Sequence, residues 1–386
     1  MTTIAELPFE VLQLVVDELD GAHWDPQARR AEGRNLALVC KAWQPLGASL
    51  IYRELSLRGV EQNAELWRML EQPEVQLLIT DLTYTDSRST PSPRRLALLE
   101  QLLPSCAALA RLHLYSTPST INRIFGERGL LLPTTLTSLT LRSIPFLDSL
   151  DIGPIMSTLA HFRSLRHLDL LVSMPFAISA TALERPRSLR LPLRTLVLAF
   201  PPSNLHSRHV EYLVLGRLTS LLDPAQLVSL DLRLAAAESF LFTFLSILPS
   251  LRKLHLHLQH DTIEAHLAEL LATLPSLTSL RDLLLRQRVL PVPRSTAASP
   301  AALAGFLASL PPSVEAFSTA LFFPGGASVG PVQDFLQARA AGDAALRRFT
   351  CEVSDVGGGG GRSCELQRLR LEDGRFCWVE TDASDG

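Results

Sequence analysis

Leucines recur along this chain in a six-residue pattern, Leu-x-x-Leu-x-Leu, at a nearly constant spacing. Seven strict copies follow one another at intervals of 24 to 34 residues, and an eighth lies nearer the C-terminus. Because alternate residues of a strand face opposite sides, the pattern predicts strands with buried fourth and sixth residues and outward third, fifth and seventh residues. Strict copies begin at Leu109, Leu136, Leu165, Leu193, Leu227, Leu251, Leu280 and Leu366, looser ones at Tyr52, Ile79 and Leu346, and a poor one at Val314.

Apolar residues at helical spacing lie between the predicted strands. Several of these runs lead into Leu-Pro-Ser, where proline is expected to end the helix before the next strand. A strand and a helix repeated about every 28 residues indicate an α/β solenoid, whose function lies on an extended face. The alternative is an ordinary α/β domain with leucine-rich strands, but its sheet would not impose a constant period. The predicted helices cover 93–103, 154–162, 238–248, 262–271 and 301–310.

This strand-and-helix cycle resembles the leucine-rich repeat family in its longer helical form, over roughly residues 50 to 375. The family often places Asn or Cys after the strand, where the side chain bonds the backbone. Here those positions hold Ser116-Thr117, Ser173-Met174 and Ala235-Ala236. The resemblance therefore implies an irregular solenoid rather than an even horseshoe.

The first fifty residues do not follow the repeat. Residues 4–19 predict an amphipathic helix with Pro8 in its first turn, residues 20–34 a polar connection and residues 35–43 a second helix. This layout resembles an F-box, which opens with Leu-Pro and an aliphatic helix and later carries Val-Cys-Lys-x-Trp. The matching residues are Leu7-Pro8, Glu10-Val11-Leu12, Leu19 and Val39-Cys40-Lys41-Ala42-Trp43.

The F-box resemblance implies a substrate-recognition subunit of an SCF-type cullin–RING ubiquitin ligase. An F-box at 1–50 would dock on the adaptor subunit, a repeat domain at 51–375 would hold a protein target, and 376–386 would be a tail. The alternatives are an end cap for the first repeat, compatible with docking, and a leucine-rich scaffold without ligase association. The implied adaptor contacts are Leu7, Pro8, Val11, Leu12, Val15, Leu19, Leu36, Val39 and Trp43.

The outward strand residues are the predicted target-binding face. They carry charges of both signs, with more basic residues toward the C-terminal repeats. An acidic or phosphorylated target segment is one interpretation, and an ordinary solvated face is the other. The candidate residues are Arg111, His113, Tyr115, Arg142, His167, Asp169, Asp231, Arg233, Lys253, His255, His257, Asp282, Arg286, Arg348, Arg368 and Arg370.

Composition narrows the possible partners of the protein and its expected compartment. A net charge of -3 does not favour nucleic acid or a membrane surface as a partner. The five cysteines are scattered, which is typical of reduced intracellular thiols. The N-terminus lacks the layout of a signal peptide, and we expect a cytoplasmic or nuclear protein.

Catalytic and metal-binding patterns are weak. His255 and His257 share a strand face near His260, but zinc needs at least three ligands and no Cys or carboxylate cluster lies beside them in sequence. The glycines at 357–361 lack the Gly-Lys-Ser/Thr ending of a phosphate loop and predict a linker. We therefore expect a protein that is not an enzyme, with no catalytic residues, metal or cofactor.

Overall fold

The structure is a computed structural model, and its chain divides into two compact units, Met1–Leu191 and Pro192–Gly386. Each unit is considered by itself. The residues described are 14, 26–39, 41, 43–57, 68–86, 93–126, 132–144, 149–172, 176–177, 190–200, 205–234, 239–259, 269–270, 272–288, 310–320, 346–354, 361–370 and 376–381.

The first unit contains a parallel sheet with helices between most successive strands. Its helices are α1 (Pro26–Val39), α2 (Gln44–Tyr52), α3 (Pro73–Gln76), α4 (Pro93–Ser105), α5 (Pro118–Phe125) and α6 (Ile152–Leu159). Its strands are β1 (Glu54–Ser56), β2 (Asp81–Thr85), β3 (Arg111–Ser116), β4 (Ser138–Ser143), β5 (Leu150–Asp151), β6 (His167–Leu171) and β7 (Phe176–Ala177). Strands β1, β2, β3, β4 and β6 pair in that order, all parallel, and β5 pairs with β7 in a separate sheet.

The second unit continues the same kind of parallel pairing and ends in a hairpin. Its helices are α7 (Leu205–Leu221) and α8 (Ser239–Ser246), with a 3-10 turn at Leu274–Ser276. Its strands are β8 (Thr195–Ala199), β9 (Ser229–Leu234), β10 (Lys253–Gln259), β11 (Asp282–Arg288), β12 (Ala316–Ala320), β13 (Arg348–Ser354), β14 (Gly361–Arg370) and β15 (Phe376–Thr381). Strands β8 to β13 are parallel neighbours, whereas β14 and β15 are antiparallel.

One backbone contact recurs between successive repeats. The Ala110 carbonyl, just before β3, accepts hydrogen bonds from the amides of Thr137 at 2.8 Å and Ser138 at 3.0 Å. The same two-amide contact is accepted by the carbonyls of Arg53, Thr80, Thr137, Arg194, Val228, Arg252, Arg281 and Glu315. Thr137 adds a hydroxyl bond to the Ala110 carbonyl. Since backbone groups make this contact, successive repeats are held in register without an Asn or Cys side chain.

The predicted alternation of buried and outward residues is confirmed. Leu112 and Leu114 of β3 are fully buried, while Arg111 is exposed. Leu109, which begins that repeat, is also fully buried, so all three leucines of this copy belong to the core. Thr140 departs from the rule, because it is outward by alternation but only 7 % exposed.

The helices match the sequence predictions unevenly. The predicted runs at 93–103, 154–162 and 238–248 correspond to α4, α6 and α8. Pro104 was expected to follow its helix, but it lies in the last turn of α4, where it lacks the amide that would complete a helical hydrogen bond. The runs at 262–271 and 301–310 lie almost wholly outside the described residues.

The prediction for residues 20–34 was wrong where the chain is described. Helix α1 begins at Pro26, and a second helix, α2, precedes the first strand. The two helices approach closely because Gly33, Gly47 and Ala37 have little or no side chain at their contact. That contact is tertiary, so local polarity did not reveal it.

The C-terminal copy at Leu366 is not a parallel repeat. It lies in β14, which runs antiparallel to β13, with Leu366 opposite Phe349. Only the residues between Ser354 and Gly361 connect the two strands, and a parallel crossover needs about a dozen or more. The poor copy at Val314, in contrast, does form the parallel strand β12. Residues 376–381, expected in a tail, form β15.

Candidate partner-binding face

The outward residues of the first unit form a polar surface, the first face. Parallel register aligns Glu54, Asp81, Arg111, Ser138 and His167 in one row across the strands. A second row holds Ser56, Thr83, His113, Thr140 and Asp169, and a third holds Thr85, Tyr115, Arg142 and Leu171. The structure therefore brings together the predicted residues Arg111, His113, Tyr115, Arg142, His167 and Asp169.

Arginines neutralise most of the carboxylates on the first face. The guanidinium of Arg111 contacts the Asp81 carboxylate and lies 3.7 Å from Glu54 Oε1. Burial nevertheless raises the pKa of Asp81 above its usual value, because desolvation outweighs the attraction of Arg111 and His113. Arg142 donates to Asp169 at 2.8 Å and lies 5.4 Å from the centre of the Tyr115 ring. The hydrogen bond to Asp169 raises the pKa of Arg142.

A pocket of about 440 Å³ opens at the N-terminal end of the first face. It is lined by Arg30, Glu54, Leu55, Ser56, Asp81, Thr83, Arg111 and His113. Arg30 Nη2 of α1 donates to the Glu54 carbonyl at 3.1 Å, which joins the N-terminal helices to the first strand. Sequence reasoning missed Arg30, Glu54 and Asp81. The looser copies at Tyr52 and Ile79 could have revealed the last two as outward residues.

The second unit has a more basic surface, the second face. Lys253 Nζ and His255 Nε2 lie 3.4 Å and 3.7 Å from Asp282 Oδ2. Arg233 Nη2 lies 3.5 Å from Asp231 Oδ2, and His257 Nε2 lies 3.7 Å from Asp231 Oδ1. These predicted residues lie on the neighbouring strands β9, β10 and β11. The same face includes Arg286, and Arg348 is aligned with Asp282 through Ala316.

The pKa values of Asp282 and His257 on the second face are shifted for different reasons. The nearby His255 imidazole, followed by Lys253, holds the pKa of Asp282 below its usual value against the effect of burial. Burial lowers the pKa of His257, and Arg233, Arg286 and His255 act in the same direction while Asp231 opposes them. These surroundings therefore favour the neutral form of the His257 imidazole.

Two arginines predicted for this face, Arg368 and Arg370, lie at strand positions that do not belong to it. In the antiparallel register Arg348 is opposite Gln367, whereas Leu366 is opposite Phe349. Arg368 and Arg370 are two and four residues beyond Leu366, so their strand positions follow the phase of Phe349 rather than that of Arg348. The prediction assumed a parallel repeat, and we leave both residues out of the second face.

The predicted adaptor contacts are described only in part. Leu7, Pro8, Val11, Leu12, Val15 and Leu19 lie outside the described residues. Trp43 is 8 % exposed in a small cluster with Leu46 and Leu50, and Leu36 packs against that cluster. Val39 ends α1. Leu14 and Leu38 are large apolar residues of this segment that are 68 % and 84 % exposed.

The described residues contain neither a metal-binding cluster nor a membrane-spanning helix. Within that part of the chain, no three His, Cys, Asp or Glu residues are placed to hold a metal ion. None of the helices described there has the length and apolar character needed to span a bilayer. Cys106 is fully buried, and burial raises the pKa of its thiol to about 12, which suppresses reactivity.

The fold and its faces define a class: an α/β array of parallel strand repeats, like that of leucine-rich repeat proteins, with polar outward strands suited to protein interaction. No family model matches the chain, and no curated protein matches it. Among solved structures it is similar to the leucine-rich repeat-containing protein LegL7 from Legionella pneumophila. The two are 16 % identical over 80 % of this chain and 87 % of that one, with a TM-score of 0.37.

Proposed function

We propose that this chain is the substrate-recognition subunit of an SCF-type cullin–RING E3 ubiquitin ligase. Its N-terminal segment docks on the adaptor subunit, and the strand faces hold a protein target. The observation that carries the proposal is the ordered F-box-like set of residues, from Leu7-Pro8 to Trp43, ahead of a parallel repeat array. In this role the chain is not an enzyme and needs no cofactor, because it supplies proximity. It acts in the ubiquitin conjugation pathway, in the cytoplasm or nucleus.

The exposed leucines of the N-terminal segment support a partner at this end. Leu14 and Leu38 are largely exposed, although this segment also contains a small buried cluster around Trp43. Apolar side chains on helices that are left in water are typical of a surface that binds a complementary apolar groove. Because α1 packs closely against α2, Leu38 of α1 would be presented in a fixed position.

The outward faces support a protein as the target. They carry mostly charged and polar side chains, which are spread over several neighbouring strands. A partner that contacts many strands must itself be extended, which favours a protein segment over a small molecule. The proposed role requires neither nucleic acid nor a membrane as a partner.

Adaptor binding tests the proposal. We expect the double substitution Leu7→Ala and Pro8→Ala to abolish co-purification of the full chain with the adaptor subunit, because both would lie in the docking surface. Leu77→Ala is the matched control: this leucine is 57 % exposed but lies outside the N-terminal segment, so its loss should leave adaptor binding intact. Circular dichroism of both variants should show a folded repeat domain.

A second candidate is a leucine-rich scaffold that has no ligase partner. It is favoured by the contact of Arg30 with the Glu54 carbonyl, which suits an end cap for the first repeat. In that case the double variant would lower the melting temperature, and neither it nor the parent chain would capture the adaptor. Undiminished adaptor capture by the double variant would contradict the proposed docking surface.

A further inference from the structure

Three basic residues of the second face stand side by side across the sheet. Arg233 of β9 is aligned with His257 of β10, and His257 is aligned with Arg286 of β11. We call these three residues the cationic row. On the flanking strands the same row continues with Ala199 and Ala320, so uncharged residues border it on both sides. Neighbouring strands are about 4.8 Å apart, and the row is therefore about 10 Å long.

The charges around the cationic row do not cancel. The cationic row and the two outward rows before it on β9, β10 and β11 hold the carboxylates Asp231 and Asp282 against Arg233, Lys253 and Arg286, with His255 and His257 beside them. One positive charge remains when both imidazoles are neutral, and three remain when both are protonated. The first face differs, because its three carboxylates, Glu54, Asp81 and Asp169, exceed its two arginines, Arg111 and Arg142.

The two carboxylates lie outside the row itself. Asp231 belongs to the adjacent row and contacts Arg233 and His257 from one side. Asp282 is one row further and is occupied by Lys253 and His255. Arg233 and Arg286 are exposed residues, so the row faces solvent at both ends. A carboxylate that approached from solvent would meet the guanidinium of Arg233 first, because that side chain is 48 % exposed and that of Asp231 only 18 %.

We propose that the cationic row docks an extended acidic segment of the target protein, with Asp or Glu side chains lying across Arg233, His257 and Arg286. An extended chain advances about 3.4 Å per residue, so roughly three residues cover the row and their alternate side chains can reach both arginines. The inference rests on the proposed function in taking the strand face as the target surface. It does not depend on the ligase link.

Protonation of His257 would be coupled to this docking. Its imidazole is surrounded by Asp231, Arg233, Arg286 and His255, and in the unbound chain burial and the neighbouring cations lower its pKa. A carboxylate of the target would offset those cations and favour the imidazolium. Binding should therefore take up a proton and become tighter as the pH falls.

The test is a fluorescence anisotropy titration of the full chain with a labelled peptide of alternating Glu and Ser. A peptide of alternating Gln and Ser is the uncharged control, and single-stranded oligothymidine is the nucleic-acid control. We expect the acidic peptide to bind more tightly than both. Arg233→Gln with Arg286→Gln should weaken its binding by about tenfold or more. Arg233→Lys with Arg286→Lys should restore part of the affinity.

A matched control variant loses the same number of positive charges elsewhere in the second unit. Arg252→Gln with Arg347→Gln removes two exposed arginines of the same unit that precede β10 and β13, and it should leave affinity unchanged. His257→Gln should reduce the difference in affinity between about pH 5.5 and about pH 7.5. Circular dichroism should show that every variant is folded.

Three results would overturn the inference: equal affinity for the Glu and Gln peptides, an equal loss in the Arg252 and Arg347 control, or tighter binding of oligothymidine. A phosphoserine peptide that alone binds, with no binding of the Glu peptide, would also contradict it. Capture of the acidic peptide without capture of the adaptor would instead refute the ligase link and leave the cationic row standing. The two proposals therefore fail separately.

Discussion

At the residue scale, alternation along a strand sets the direction of a side chain, whereas pairing between strands sets which residues it contacts. Alternation along β4 and β6 predicts that Arg142 and Asp169 face outward. Their ion pair depends on β4 and β6 being neighbours in a defined register. The same is true of His257, which meets Asp231 only because β10 pairs with β9. Charges far apart in sequence thus become local partners through strand pairing.

The depressed pKa of His257 predicts a dependence of stability on pH. Since its folded pKa lies below the ordinary value near 6.5, the unfolded chain binds more protons just below that pH. Stability should therefore fall as the pH drops from about 7.5 through about 5.5. Urea unfolding at several pH values measures this trend.

His257→Gln should make that fall in stability smaller, because glutamine has no proton to gain. His161→Gln is the control, since His161 is exposed in the first unit and lies outside both faces. A parent chain whose unfolding free energy changes with pH no more than that of the His257 variant would refute the assignment.

At the element scale, strands were easier to predict than helix contacts. A strand of this array is marked by buried leucines two residues apart, as in β3 and β9, and that mark is local. The contact of α1 with α2 requires Gly33 and Gly47 to meet across a turn that was not foreseen. The poor copy at Val314 nevertheless forms a strand because Phe317 supplies the buried residue expected of leucine.

Gly47→Ala should destabilise the first unit, although the same change normally stabilises a helix. A Cβ at Gly47 would meet the Gly33 carbonyl oxygen and lie 2.7 Å from the Ala37 amide nitrogen, both of them backbone atoms. Overpacking of this kind costs about 1–3 kcal/mol. We expect a lower unfolding free energy in urea and weaker adaptor capture.

Gly216→Ala in α7 is the matched helical control. Its new Cβ would meet only Phe240 Cζ at 3.8 Å, an ordinary contact. This variant should gain about 0.5–1 kcal/mol, because alanine restricts the unfolded chain and suits a helix. Equal effects of the two substitutions would disprove the close helix contact.

At the scale of the whole molecule, stability is distributed among repeats. In each unit, successive strands pair with their immediate neighbours, and the carbonyl before one strand bonds two amides of the next repeat. Such arrays behave approximately as a sum of repeat and nearest-neighbour terms. A local defect should therefore weaken nearby repeats more than distant ones.

Leu256→Ala tests this within the second unit. Leu256 is fully buried in β10, and its truncation should cost about 2–5 kcal/mol. Hydrogen exchange with mass spectrometry should show the greatest loss of protection in β9, β10 and β11 and a smaller loss in β13. A uniform loss across the second unit would instead indicate that its repeats unfold together.

The repeat period, the buried and outward positions of most strands and the polar nature of the faces can all be read from the residues in order. These follow from side-chain alternation and from the burial of leucine, which act over a few residues. Three features became visible in the folded chain alone: α1 packs on α2, β14 runs back against β13, and Arg233, His257 and Arg286 form one row. Those features depend on register and direction between distant segments, which a local pattern does not specify.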